Sequence, residues 1–457
     1  MKRCLVDIND VGIRLSDADG LLRVSPGFAF LHHGELLTGE QAAARIRTNP
    51  RAGSDHFWHQ LSQTPLPRPL GPARTHADLA WYHLRQLWTP LAADYDQVLL
   101  SVSGDFDAKR LSTLLGIARA CDMPVRSVVA AAVAAAASHW QQHAADHLAE
   151  LICVDVQWHR LLLEPLQLQD GRVGMAAPDA AHQGDVVRHG MAALYDRWAH
   201  MIGEAFLQRT RFDPLHSAAS EQQLYDALPG WLQQLTTQPQ IELKLSAGGH
   251  DFVIELGQEQ FSAAAADLYA PLLSMVSQHD APLLLRQRLG LLPGLIGQLR
   301  EHAEVHTVAD DMVSDYLLQS APELIGDDAE QVPHHVSLPL AAGSSQRQTA
   351  STATAVLPTH LSDGVWLWAI TAAGIALPPP QPDQQASAQS WRLLRAADGE
   401  ISIQQDAAAG SDAAPLRIND EPLSPQSAKQ QRRLLAGDRI SVDARQFQLL
   451  RLMPQGT

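Results

Sequence analysis

Apolar positions cluster in short runs at the start of the chain. "RCLVDI", "GIRLSD" and "LLRVSPGFAFL", within residues 3 to 31, predict two or three strands, with Asp17 to Gly20 turning the second into the third. The period then lengthens. "TGEQAAARIRTNP" has a start signal at Thr38, good helix formers and a stop at Asn49-Pro50, which predicts a helix. "DQVLLSVSGDF" is a buried-strand pattern, and "DAKRLSTLLGIARACDM" behind it carries its apolar residues at helical spacing. The alanine-rich run "SVVAAAVAAAAS", 127 to 138, is shorter than the ~20 residues of a membrane span and reads as a buried helix.

The same grammar then recurs. "AELICVDVQWHRLLLEPLQLQDGRVGMAA" predicts a strand, a turn, a strand and a further strand after Asp170-Gly171, much as residues 3 to 31 do. Asp7 and Asp155 each sit near the end of the first strand of a half, a weak internal repeat. A helix in "VVRHGMAALYDRWAHMIGEAFLQR" follows, then a short helical stretch "SEQQLYDAL", strands in "IELKLSAGG" and "DFVIELG", and a helix over 259 to 277. "PLLLRQRLGLLPGLIGQLREHAE" adds one more strand and helix. Strands alternating with helices predict an α/β body ending near Ile325, in halves of about 1–150 and 151–325. Residues 326–390, rich in small, polar and proline residues, read as linkers around the apolar patch "GVWLWAITAAGIAL". From Trp391, the alternating runs "WRLLRA", "EISIQQ", "PLRIND", "RISVDA" and "FQLLRLM" predict a small all-β module over 391–457.

Composition narrows the partners. At 457 residues and 46% hydrophobic the chain supports two or three domains with sizeable cores. Its net charge of -16 argues against nucleic acid and anionic membranes, which need clustered Lys and Arg. The opening "MKRCLVDIND" meets acidic residues before any apolar core of signal-peptide length, so a cytoplasmic location is expected. Cys4, Cys121 and Cys153 lie in apolar segments without paired spacing and read as packed thiols in a reducing compartment.

The segment "PGFAFLHHGELLTGEQAAARIRTNPRAGSDHFWHQL", 26 to 61, resembles the opening of the heat shock protein 70 chaperones in its order of strand, glycine turn, "GEQAA" helix, Asn-Pro stop and Phe-containing helix. Further matches follow in order: "VLLSVSGDFDAKRLSTLLGIARACDMPV", the alanine-rich helix from Val129, "LICVDV", "DFVIELGQEQFSAAAADLYAPLL" and "LLPGLIGQLRE". The resemblance spans roughly residues 3 to 325. It implies a two-lobed actin-like ATPase fold, a duplicated ribonuclease H-like plan, with ATP and magnesium in the cleft between the halves. On that resemblance Asp7, Asn9, Asp10 and Asp155 occupy the phosphate and magnesium positions.

The phosphate-binding chemistry departs from the family. Where the family has Gly-Thr-Thr after its first Asp, this chain has Ile8-Asn9-Asp10-Val11; where it has a second glycine-rich turn, this chain has Val156-Gln157-Trp158-His159. The family's catalytic Lys falls on His59, its Glu-Pro pair on Ala130-Ala131, and its adenosine loop on Gln287-Arg288-Leu289, although Pro293 remains. Glycine lets a backbone approach phosphate, and Trp158 and His159 fill that volume. Loss of the Lys and Glu removes the charge clamp and the group that orients the attacking water. A pseudo-ATPase is therefore expected, with no cofactor, or with ATP and magnesium if the site is retained.

The tail "PLRINDEPLSPQSAKQQRRLLAGDRISVDARQFQLL" resembles the C-terminal half of forkhead-associated domains, without that family's phosphothreonine-reading Arg and Ser. His139, His143 and His147 recur every four residues, so a continuing helix would align three imidazoles; a solvated helix face is the competing reading to a metal site. "HHGE" at 32 to 35 reads as a hairpin tip and "PHHV" at 333 to 336 as linker, while Trp366 and Trp368 are either packed on the body or a docking anchor. No Ser-His-Asp or Cys-His arrangement with recognisable spacing occurs. The expectation is a cytoplasmic, bacterial-type, chaperone-like or scaffold protein acting through protein partners. The alternatives are a divergent ATPase whose aspartates hold magnesium, and a structural subunit of a larger assembly.

Overall fold

The computed structural model describes residues 1–142, 149–176, 186–326 and 331–340, and, in the tail, 360–362, 367–369, 375–377, 391–395, 401–405, 416–418, 421–422, 439–442 and 445–450. The chain divides into two compact units, Met1–Ser344 and Ser345–Thr457.

The first unit holds two mixed sheets with one plan. In the first, β1 (Arg3–Ile8), β2 (Ile13–Asp17) and β3 (Gly20–Ser25) run antiparallel in sequence, and β4 (Gln97–Val102) and β5 (Val125–Ala130) extend the other side of β1 in parallel. In the second, β6 (Glu150–Val156), β7 (Leu161–Gln169) and β8 (Arg172–Met175) repeat the antiparallel trio, and β9 (Leu283–Arg286) and β10 (Val305–Val308) repeat the parallel pair. Within each plan the spatial order is third, second, first, fourth, fifth. The central strands β1, β4 and β6 read as near-continuous apolar runs because both their faces are buried.

Helices complete the crossovers. After α1 (His76–Trp88), α2 (Ala108–Ala120) joins β4 to β5; the Asp107 carboxylate accepts from Arg110 N at 2.7 Å and caps it. The strand β5 passes into α3 (Ala131–Gln142) without a loop, so the alanine-rich run splits at Ala130 instead of being helical throughout. Val128 and Val129 decide this: β-branched side chains fit the ladder beside Leu100 and Ser101. The second half adds α4 (Met191–Thr210), α5 (Ala218–Leu235), α6 (Gln258–Val276) and α7 (Asp310–Leu324). Ala132, Val133 and Ala134 to Ala137 are buried in a core shared by Leu5 and Leu99 of the first sheet, Leu151 and Leu284 of the second, and Leu317 of α7. Small side chains let both sheets approach this helix closely.

Several expectations are corrected. "LLRVSPGFAFL" is two strands, because Pro26 has no N–H and Gly27 N turns to donate to Asp10 O at 2.8 Å; Ala29–His32 joins a separate sheet. The helix after Thr38 has only the residues Glu40–Ala43, entered through Gly39 at φ 65, and the Thr38 hydroxyl donates to Gln86 instead of capping it. Helix α5 runs on through Pro229 because Trp231, Leu232 and Leu235 continue its buried face. The strand β10 and helix α7 are additional to the predicted elements, although Asp310 and Asp311 open the helix.

The α/β body also extends past Ile325. His334–His335 forms β11, parallel to β5, and Ser337–Pro339 forms β12, antiparallel to β8, so one short segment adds an edge strand to each sheet. "PHHV" is therefore sheet edge, whereas "HHGE" is the tip joining Ala29–His32 to Glu35–Thr38, with His33 and Gly34 at positive φ.

The second unit is all-β in its described residues. His360–Ser362 pairs with both Leu367–Ala369 and Arg445–Leu450, and Ile375–Leu377 pairs with Trp391–Arg395. Part of the region expected to be linker thus belongs to the β module, which includes strands from His360 onward. Trp368 lies in one of these strands; Trp366, His143 and His147 lie outside the described residues. His139 is buried on α3, with its ring 5.0 Å from that of His306, rather than on a solvated face.

Candidate functional site

Asp7 and Asp155 are the second-last residues of β1 and β6, the equivalent first strands of the two halves. Identical placement in repeated sheets turns both carboxylates toward the seam between the halves. What they meet there is protein. Asp7 Oδ1 accepts from Ser101 Oγ at 2.7 Å and Oδ2 from an Arg286 terminal nitrogen at 3.1 Å. Asp155 Oδ1 accepts from Val156 N at 2.8 Å and faces Arg288 Nε at 3.4 Å.

Arg286 ends β9 and Arg288 lies in the short turn behind it, where the adenosine loop was expected. Arg286 also donates to Asp310 Oδ1 through Nε at 3.2 Å and a terminal nitrogen at 2.9 Å. Arg288 lies 3.5 Å from Asp7 and 3.7 Å from Asp310, and Arg14 approaches Asp310 at 3.8 Å. Three carboxylates and two guanidiniums are thus buried together, with Arg14 at their edge. Burial raises the Asp155 carboxyl, against the pull of Arg288 and Arg286. For Asp310 burial acts the same way, but Arg286 and Arg288 outweigh it and hold the group well below the usual carboxylate range.

The two turns expected from the resemblance to hold phosphate bond to each other. Asn9 Nδ2 donates to Asp155 Oδ2 at 3.2 Å and to Val156 O at 3.1 Å, while Asn9 Oδ1 accepts from Val11 N at 2.9 Å. Asp10 Oδ1 accepts from the backbone N of Trp158 at 2.7 Å. A carboxylate of the first half therefore takes a main-chain N–H of the second, the kind of donor a phosphate oxygen would use. Burial raises the Asp10 carboxyl, with the Trp158 N–H opposing. The turn is braced from behind by Gly190, the N-cap of α4: a Cβ there would stand 2.3 Å from Arg160 N and from Gln157 O.

Around the seam, Gln157 Nε2 donates to Ser103 Oγ at 3.0 Å, and Arg160 and Arg110 each reach Asp105 at 2.5 Å. Glu164 on β7 accepts from Gly104 N at 2.6 Å; burial pushes its carboxyl up to about 7. His59, where the family's Lys was expected, is half-buried beside His159, with burial and then Arg160 lowering it to about 4. A neutral imidazole supplies no charge clamp.

All four residues expected at the site, Asp7, Asn9, Asp10 and Asp155, are brought to one seam. Asp7, Asn9 and Asp155 join one network with Arg286 and Arg288, and Asp10 holds the neighbouring turn. Arg286, Arg288 and Asp310 were not assigned roles there from the sequence. Their signal was a charge pair in "LLLRQR", where a buried strand has no reason to end in two arginines unless carboxylates wait for them.

The three cysteines are free and buried, and burial pushes the thiols of Cys4 and Cys121 up to about 12 and about 11. Such thiols are poor nucleophiles. Among the described residues, no helix is long and apolar enough to cross a membrane. No protein-family model matches the chain, and no curated protein matches it.

Proposed function

We propose that this chain is a cytoplasmic, chaperone-like scaffold that works by binding other proteins, built on a two-lobed actin-like body whose nucleotide cleft is latched by its own side chains. The repeated strand order and directions of the two sheets support the actin-like reading. The observation that carries the loss of turnover is the bond from Trp158 N to Asp10 Oδ1, because it gives a phosphate-type donor to an internal carboxylate. Arg286 and Arg288 take the two aspartates that would otherwise hold magnesium through water. An ion-pair network this buried is expensive to open: separating one partner leaves an uncompensated charge.

Protein binding is supported by β3, which ends its sheet among the described residues and exposes Leu21, Leu22 and Val24 by 47%, 39% and 37%. Neighbouring exposed apolar residues on a terminal strand are a surface that partner chains cover. Isothermal titration of the full chain with magnesium ATP tests the reading. No saturable heat and no phosphate release are expected. Micromolar binding with hydrolysis that vanishes in Asp155→Ala would overturn it in favour of a divergent ATPase.

A further inference from the structure

Beside the latched seam lies a separate open cavity of about 420 Å³, lined in part by Asp55, His56, His159, Arg188 and His189. Asp55 and His56 follow the short strand Gly53–Ser54 in the first half, and His159 sits on the turn between β6 and β7 in the second. One ligand atom from each of Asp55, His56 and His159 lies within 4.8 Å of the other two. His56 Nδ1 is 2.5 Å from Asp55 Oδ1, His159 Nε2 is 3.7 Å from that same oxygen, and the two imidazole rings lie 3.8 Å apart.

Zinc bonds of ~2.0–2.1 Å at tetrahedral angles set ligand atoms about 3.3 Å apart, so small side-chain rotations bring this set into range. The carboxylate is already oriented. Trp158 Nε1 donates to Asp55 Oδ2 at 2.9 Å, which leaves Oδ1 for the ion, the arrangement in which an outer hydrogen bond fixes a metal ligand. Two imidazoles and a carboxylate suit a zinc-class ion over magnesium or calcium, which prefer all-oxygen shells.

We propose that Asp55, His56 and His159 bind one divalent transition-metal ion of the zinc class, with an open coordination position toward the cavity. The ion would tie the loop of one half to the turn of the other. Binding moves the imidazole protons off the nitrogens that face Asp55, and it shifts folding in favour of the closed body by linkage.

Cobalt(II), added to the chelator-treated full chain, is the probe. Uptake of one ion per chain is expected, with visible absorption of tetrahedral or five-coordinate type, displacement by zinc, and a higher midpoint of thermal unfolding. His56→Ala is the primary variant because that side chain is half exposed, and it should weaken cobalt binding by at least about 10–100-fold, the scale seen for even outer-shell changes. His159→Ala should match it, while His32→Ala/His33→Ala, on the hairpin tip and outside the cluster, should bind as the parent does. Absence of binding, or several weak equivalent sites unchanged by His56→Ala, would overturn the assignment. So would loss of binding only in the hairpin-tip variant.

Discussion

Arg286 donates to Asp7 across 279 residues of chain, at 3.1 Å and with both side chains buried, and the same guanidinium holds Asp310. One side chain therefore joins the end of the first strand of one half to the start of α7 and to the sheet of the other half. Replacing it by Met leaves Asp7 and Asp310 buried without their main counter-charge, which costs about 3–5 kcal/mol when a buried pair is broken from one side. Urea unfolding followed by tryptophan fluorescence should show that loss in Arg286→Met. Adding Asp7→Asn should recover part of it, because the orphaned charge is then removed. If the double variant is no more stable than the single, the buried charge of Asp7 is not what Arg286 compensates.

Gly190 predicts a steric failure at the same seam. A methyl group there meets Arg160 N and Gln157 O at 2.3 Å, both main-chain atoms of the turn that gives its N–H to Asp10. Neither can yield without moving the turn, so Gly190→Ala should cost about 3 kcal/mol or more. Gly230→Ala on α5 is the matched control, since a Cβ there meets nothing within 4 Å, and it should be neutral or slightly stabilising. Thermal unfolding of the two variants separates the cases.

Much of the fold was legible because it rests on local period. The apolar runs of β1, β4 and β6 and the turn between β7 and β8 identify the repeated strand plan, and the matched aspartates follow from it. The latch was not legible. Asp10 and Trp158 are 148 residues apart, and Asn9 and Asp155 are 146 apart, so their pairing depends on how two half-domains meet and leaves no mark within a short window. The Ala130–Ala131 junction failed for the opposite reason: alanine is compatible with either element, and only the pairing of Val128 and Val129 with β4 decides where the strand stops. Similarly, Asp55 and His56 carry no signal within their own stretch of sequence, because the third member of their cluster, His159, comes from the other half.

Glu164 should give the protein an unusual fall in stability with rising pH. Its carboxyl is raised by burial, and further by the charges of Asp155 and Asp105, from the ordinary value of 4.5 to about 7, against the Gly104 N–H and the Arg286 charge. Between those values the folded state holds a proton that the unfolded chain has lost. This contribution is therefore full below about pH 4.5, declines as pH rises, and is gone above about pH 7, a change on the order of 3 kcal/mol. Glu164→Gln keeps an oxygen for Gly104 N and carries no charge, so it should be more stable than the parent at pH 8 and lose this component of the slope. Urea midpoints at pH 5 and pH 8 for both proteins measure it; an unchanged slope would remove Glu164 as its source.

His83 should act with the opposite sign. Trp58 Nε1 donates to its Nδ1 at 3.0 Å, so the ring proton belongs on Nε2, which lies 2.8 Å from Ser25 Oγ and donates to it. Full burial lowers the imidazole from 6.5 to about 3, because no carboxylate offsets the loss of water. The unfolded chain therefore binds the proton first as pH falls: the contribution is full above about pH 6.5 and is lost progressively toward pH 3. Nitrogen-15 NMR of the imidazole at pH 6 should show a neutral Nε2–H tautomer, and acid unfolding should shift Trp58 emission over that window. A protonated His83 ring in the folded protein at pH 6 would contradict the buried neutral contact. The same buried neighbourhood links α1 to Ser25 at the end of β3, so the acid-labile contact lies at the end of the strand that exposes Leu21, Leu22 and Val24.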